Sequence, residues 1–398
     1  MRFPRRYFNS KKPLLIFIIS FVFTALGIPF LMGDVGHLSP RARRTKPDLT
    51  APGSKEENSL SQIEERARGP LAADNPDLIQ LLRTKYLDPP SSLPYQLREG
   101  PPRDVDYTEY KRKFPSWPFI DSVLKDFYDG RPAGFFVEAG ALDGEYLSNT
   151  LQLERRLHWT GLLVEAEKES YVTLRNKHRK AWSSPACIAT QPYPHSVVLT
   201  TFRNEDRHAN WLDRGAARIE KNPLAGGGPG FKTFRVVQCF PVLTFFLALN
   251  VTQVDVFSLD VEGVEMDILR SFPFDKITVD VWVIEHTLPS EESSYTPSEK
   301  SSSTPFKKPP SWEYEDTEFI AFMEARGYYL FDMFCYVIPD YVFVRRDSEI
   351  FQRLGVPEEL WTRRGLCFDK PKFNPNVTTF SSENYRDRRH WPTLLYSS

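Results

Sequence analysis

The chain has 398 residues, 41% hydrophobic and 14% aromatic, enough to bury at least one sizeable core. Its 51 basic and 52 acidic residues leave a formal charge of -1, which excludes the basic excess of a general nucleic-acid binder. Nothing in it has the spacing of a zinc site, a P-loop or a Ser/His/Asp nucleophile elbow.

Residues 1–12 form a basic tail, with Arg2, Arg5, Arg6, Lys11 and Lys12 and no acid. Leu14 to Met32 carries no charge, and as a helix these nineteen residues span roughly 28 Å, close to the hydrocarbon thickness of a bilayer. The expectation is a transmembrane signal-anchor helix over 13–33. A cleaved signal peptide has the same basic-then-apolar order, but its apolar run is shorter and it ends at a small-residue site that this sequence lacks. Lys11 and Lys12 favour a cytosolic N-terminus, although Arg41, Arg43, Arg44 and Lys46 on the far side reduce the bias. Two features break the tie. Cys187, Cys239, Cys335 and Cys367 all follow the span, an even number that suits an oxidising lumen. Both N-x-[ST] sequons, at Asn250 and Asn376, follow it too and are candidate glycosylation sites. A type II protein of the secretory pathway, touching the bilayer once with its C-terminal part lumenal, is the expected topology.

Residues 34–75 are rich in Pro, Gly, Ser and charge, and read as a disordered stem. A helical lead-in over 76–133 contains Asp77–Leu82, stopped by Pro89 and Pro90, and Trp117–Tyr128 with apolar residues at helical spacing. From Gly134 the pattern alternates. Strands are expected at 135–138, 161–165, 186–189, 196–202, 254–259 and 279–285, with helices through about Leu157, at 170–179, 242–249 and 264–271. Unbroken apolar strands alternating with helices imply a mostly parallel α/β sheet covered on both faces. Residues 287–311 read as a low-complexity insertion; helix 317–325 and strands 328–334 and 341–344 follow, with a turn at 338–340. A closing antiparallel hairpin makes the sheet over 134–346 class I methyltransferase-like, a Rossmann-like variant, and leaves 347–398 as an extension.

The chemistry concentrates at strand ends. Glu138, Gly140, Asp143 and Gly144 form an E-x-G-x-x-x-G turn in which a glycine admits a ligand close to the backbone and exposed N–H groups favour its polar parts. A purely structural turn explains that pattern equally well. Glu165 closes the next strand 25 residues beyond Gly140, where such folds place a ribose-binding carboxylate. Asp260 and Glu262 follow a later strand and, at period two, would share one face; Glu285 and His286 end the next. One reading is an acid/base or metal cluster, the other a set of carboxylates capping helix N-termini. Asp260, Glu262 and His286 are taken as the catalytic candidates, and no metal is assigned. Cys187 with Cys239 and Cys335 with Cys367 are the disulfide candidates, against four buried thiols.

The segments FFVEAGALDGEYLSNTLQLERRLHWTGLLVEA and DVFSLDVEGVEMDIL resemble the two signature blocks of the FkbM-type methyltransferase family. The anchor, the DLIQLLRTKYLDPP lead-in and SNTLQLER resemble the invertebrate Star proteins. The first resemblance implies S-adenosylmethionine as methyl donor, held by Glu138, Gly140, Asp143, Gly144 and Glu165, and O-methylation of a sugar or related hydroxyl. The second implies a protein of the endoplasmic reticulum, Golgi and endosomes that assists export of membrane-bound growth-factor precursors for epidermal growth factor receptor signalling. Of these, a trafficking factor without a bound cofactor is the preferred expectation and an active methyltransferase the alternative. One departure stands against the donor site. After the third expected strand the chain reads Cys187-Ile188-Ala189-Thr190-Gln191, without the acid that related folds often place by the adenine.

Overall fold

The computed structural model describes residues 61–97, 118–203, 217–219, 231–286, 315–335 and 339–362. The basic tail, the span expected over 13–33, the insertion 287–311, Cys367 and Asn376 lie outside the described residues. Among the described residues no helix is long and apolar enough to cross a membrane.

Eleven strands are described: β1 (Phe135–Ala139), β2 (Thr160–Val164), β3 (Trp182–Ser184), β4 (Cys187–Ile188), β5 (His195–Arg203), β6 (Arg218–Ile219), β7 (Phe231–Phe240), β8 (Gln253–Leu259), β9 (Thr278–Glu285), β10 (Tyr328–Cys335) and β11 (Pro339–Arg345). Seven make one sheet in the order β10-β11-β9-β8-β1-β2-β3; the other four make a second sheet in the order β4-β7-β5-β6. In the main sheet β3, β2, β1, β8 and β9 run parallel, and β11 is antiparallel to both β9 and β10. It is the mostly parallel α/β sheet of a methyltransferase-like domain.

The central strands form because both of their faces are covered. In β9, Trp282 and Ile284 enter one core while Val281 and Val283 enter the other, as period-two alternation requires. Trp282 stacks on Phe257 of β8 at 4.5 Å and meets Phe272 edge-on at 5.0 Å. The flanking helices are α1 (Pro76–Leu81), α2 (Pro118–Tyr128), α3 (Leu151–Leu157), α4 (Lys168–Asn176), α5 (Val242–Leu249), α6 (Glu265–Ser271), α7 (Thr317–Glu324) and α8 (Glu349–Leu354). Asn75 caps α1 by accepting from the Asp77 and Leu78 amides, and Pro76 fills the first turn where no donor is needed.

Four expectations need correction. The third strand of the main sheet is Trp182–Ser184, too short and polar to stand out; Cys187–Ile188 belongs to the second sheet. The residues after that third strand are therefore Pro185 and Ala186, again without an acid. The 203–241 region holds a strand, β7, that pairs antiparallel with β5 over its whole length. Pro339 and Asp340 are strand residues of β11 rather than a turn. And the end of the expected stem is packed: Ile63 and Ala67 are buried, the Ala67 carbonyl accepts from Gln238 and that of Ala73 from Thr244.

The second sheet carries a disulfide between Cys187 and Cys239, facing residues of β4 and β7, with Cα atoms 4.3 Å apart. The side chain of Cys335 and all of Cys367 lie outside the described residues.

Candidate functional site

The carboxyl ends of β1, β2, β8 and β9 lie along one edge of the main sheet, the edge at which open α/β sheets bind ligands. After β1 the chain turns at Gly140, whose φ is +85°. A Cβ at Gly140 would stand 1.7 Å from the carbonyl oxygen of Asp260. The glycine is thus required by the chain leaving β8, which occupies the place that the sequence reading reserved for a ligand. The expected cradle of free N–H groups is also consumed within the protein. Gly140 and Ala141 both donate to the Val164 carbonyl, Leu142 to Glu165 Oε2, Gly144 to the Ala141 carbonyl, and Glu145 and Tyr146 to Asp143 Oδ1. Asp143 is itself buried and lies 3.4 Å from Lys177 Nζ.

Glu138 and Glu165 end adjacent parallel strands and hold the two ends of the same loop. Glu138 pairs in register with Leu163 and accepts from Ser148 Oγ (2.8 Å), Thr150 Oγ1 (2.5 Å) and the Asn149 amide (2.9 Å) at the far end, just before α3. Glu165 accepts from the Leu142 amide (2.7 Å) at the near end and from the Glu167 amide (2.6 Å). Of the five expected donor-binding residues, then, Glu138 and Asp143 are committed to the loop, and Gly140 and Gly144 shape it. Glu165 accepts one hydrogen bond on each oxygen, so each keeps a second lone pair. Burial pushes the Glu165 carboxyl up to about 8, against the two backbone hydrogen bonds that favour its charged form. Burial raises Glu138 as well, with the Arg179 charge opposing.

Arg179 is the residue that sequence reading missed. It lies just after α4 and is buried; its Nε is 2.9 Å from Glu154 Oε2, and its guanidinium also binds the Gly144 carbonyl, Ser148 and Thr150. In the sequence it sits in the run Lys177-His178-Arg179-Lys180, which reads as an ordinary solvated helix end, so no signal marked it.

The second group of expected residues converges by a different route. Asp260 and Glu262 lie beyond the end of β8, so strand periodicity does not apply to them. Glu262 has φ +61° and Gly263 φ +102°, and this left-handed turn folds the chain back. Carboxylate oxygens of Asp260, Glu262 and Glu285 all lie within 4.8 Å of one another. His286 does not join them. Neighbouring strand residues face opposite ways, and its Nε2 sits 3.0 Å from Asp316 Oδ2 with its ring against Phe319. Glu265, the first residue of α6, accepts from the amides of Val261 and Gly263 in the preceding turn. Burial, then mutual repulsion, raises Asp260 and Glu285 well above ordinary carboxylate values and Glu262 to about 7. Asp340, directly opposite Glu285 on β11, is raised to about 7 by burial; a turn-like Pro-Asp pair had hidden it.

A seven-stranded sheet, parallel but for β11, with carboxylates at the ends of β2, β8 and β9, defines a methyltransferase-like α/β domain. Within that class, residues 138–330 match the family model described as the methyltransferase FkbM domain. No curated protein and no solved structure matches the chain.

Replacing Arg179 with Met leaves Glu154 buried without its partner, and chemical denaturation should show a loss of about 3–5 kcal/mol. Arg270→Ala, which removes an exposed pair with Asp267, should lose less than about 1 kcal/mol. The raised carboxyl of Glu165 stabilises the fold fully below the ordinary glutamate value of 4.5, and that contribution is lost as pH rises through about 8. Glu165→Gln should therefore show a shallower fall in melting temperature between pH 5 and 9 (about the span of the two values) than the parent chain. An equally steep fall in both would show that Glu165 does not set it.

Proposed function

We propose that this protein is an S-adenosylmethionine-dependent O-methyltransferase acting on a hydroxyl acceptor, with a glycan as the expected class. The observation that carries this reading is the position of Glu165, a buried carboxylate at the end of β2. It is tied through Leu142 to the loop whose first residue, Gly140, touches Asp260 of the acid cluster. The donor fits a narrower set of residues than the family blocks implied. Glu165 would accept the two ribose hydroxyls through the lone pairs that Leu142 and Glu167 leave. When bound, the donor supplies an electrophilic methyl group. The chain's own part is to hold the acceptor at the edge next to Asp260, and to take its hydroxyl proton on a carboxylate whose affinity for protons burial has raised.

The compartment is part of the same proposal. A secretory lumen is supported by the Cys187–Cys239 disulfide, by the order of basic tail and apolar run, and by the exposed position of Asn250 at the end of α5. The growth-factor trafficking role implied by the Star resemblance draws on the anchor and lead-in. The family match instead falls on the sheet that carries Glu165 and the acid cluster, and methyl transfer is therefore preferred.

Calorimetric titration of the full chain with S-adenosylmethionine should show one site, weakened at least about tenfold in Glu165→Gln by loss of charge-assisted hydrogen bonds. Absence of binding at millimolar donor would rule the methyltransferase reading out. In cells, treatment with a glycosidase should increase the mobility of the chain on a gel, and Asn250→Gln should remove part of that shift. A chain whose mobility is indifferent to glycosidase would contradict the lumenal placement.

A further inference from the structure

The acid cluster holds more carboxyl groups than the acceptance of one proton requires. Asp260, Glu262 and Glu285 each offer a carboxylate oxygen, and these oxygens all lie within 4.8 Å of one another. At its margin the Arg218 guanidinium of β6 offsets Glu262. Glu265 spends its oxygens on the backbone of the turn.

A second observation points the same way and is independent of the first three acids. Asp340 is 3% exposed, and its Oδ2 has no hydrogen-bond partner among the described residues. It faces Glu285 directly across the β9–β11 ladder, so the two side chains stand together on one face of the sheet. Its charge bears on both Asp260 and Glu285. A buried carboxylate oxygen with no donor is rare in folded proteins and calls for a ligand or an ion. Here it stands beside a cluster that is itself made of carboxyl groups.

We propose that Asp260, Glu262 and Glu285 bind a hard divalent cation, of the Mg2+, Mn2+ or Ca2+ class, with Asp340 as the buried anion beside it. The ligand set is all oxygen, which selects hard ions over thiolate- or imidazole-bound ones. Ligands on opposite sides of such an ion are about 4–5 Å apart, which matches the spread of these oxygens. The left-handed Glu262 also finds a purpose, because an extended residue there would carry its carboxylate away from Asp260. The site belongs to the acceptor side of the methyltransferase reading, where a cation would hold acceptor oxygens and ease loss of the hydroxyl proton. Ion binding itself does not need the donor.

The test uses the full chain, Mn2+ alone and no methyl donor. Electron paramagnetic resonance should show loss of the free Mn2+ signal to one site per chain, and Mn2+ should raise the melting temperature by several degrees. Asp260→Asn and Glu285→Gln keep side-chain shape but remove a like charge. Each should melt higher than the parent without metal, and each should weaken Mn2+ binding at least about tenfold. Full Mn2+ signal at millimolar protein and metal would overturn the proposal. So would parent-like affinity in both variants, which would place the bound ion elsewhere. Mn2+ binding with no donor binding would sustain this site while removing the methyltransferase reading.

Discussion

The close apposition of Gly140 and Asp260 organises everything else at the functional edge. The Asp260 amide donates to the Ala139 carbonyl, its own carbonyl lies where a Gly140 side chain would be, and Gly140 and Ala141 donate across to Val164. The ends of three strands, β8, β1 and β2, are thereby fixed relative to one another by main-chain contacts alone. A side chain at Gly140 would force β8 away from β1, and the acid cluster would part from the loop that reaches Glu165. The geometry of the edge thus depends on the absence of one Cβ.

Held this way, the loop from Gly140 to Thr150 needs no ligand to order it. Its amides are satisfied by Val164, Glu165 and Asp143, and its far end by Glu138. Charge burial is compensated there: Arg179 meets Glu154, and Lys177 meets Glu145 and Asp143. Buried pairs of this kind add little net stability, but removal of one member strands the other in a low-dielectric interior. The same pairs and hydrogen bonds tie the loop to α3, α4 and β2. A loop tied in this way presents Glu165 in one orientation, and such preorganisation is what ligand recognition at a strand end demands.

The alternating strands and helices were legible because buried parallel strands write themselves as apolar runs, and VDVWVIE could hardly be anything else. Trp182–Ser184 was not, since three edge residues with two serines carry no periodicity. The site was legible in part. Glu138, Glu165, Asp260 and Glu262 were found from their places after strands, but their partners come from distant segments. Glu138 is met by residues 148–150, Glu165 by Leu142, and Asp260 by Glu285. Asp340 and Arg179 were hidden for one reason: residue type alone does not say whether a charge is solvated. His286 shows the converse. Adjacent to Glu285 in sequence, it is turned by strand alternation onto Asp316 and Phe319.

The two halves of the edge thus treat charge in opposite ways, and this separates their roles. Around Glu138 and Arg179 each buried acid has a donor or cation, as expected of a part selected for stability. Around Asp260 four carboxyls, counting Asp340, crowd together with few donors, each raised by burial. Such a cluster opposes folding and persists only where the scaffold beneath it is strong. Here that scaffold is the β8–β9 ladder, with Trp282 stacked on Phe257 and Phe272 closing over both. The aromatic layer packs the middle of the same two strands, β8 and β9, whose ends lead to Asp260 and Glu285. Uncompensated charge over a well-packed support is the arrangement expected of a site kept for what it binds.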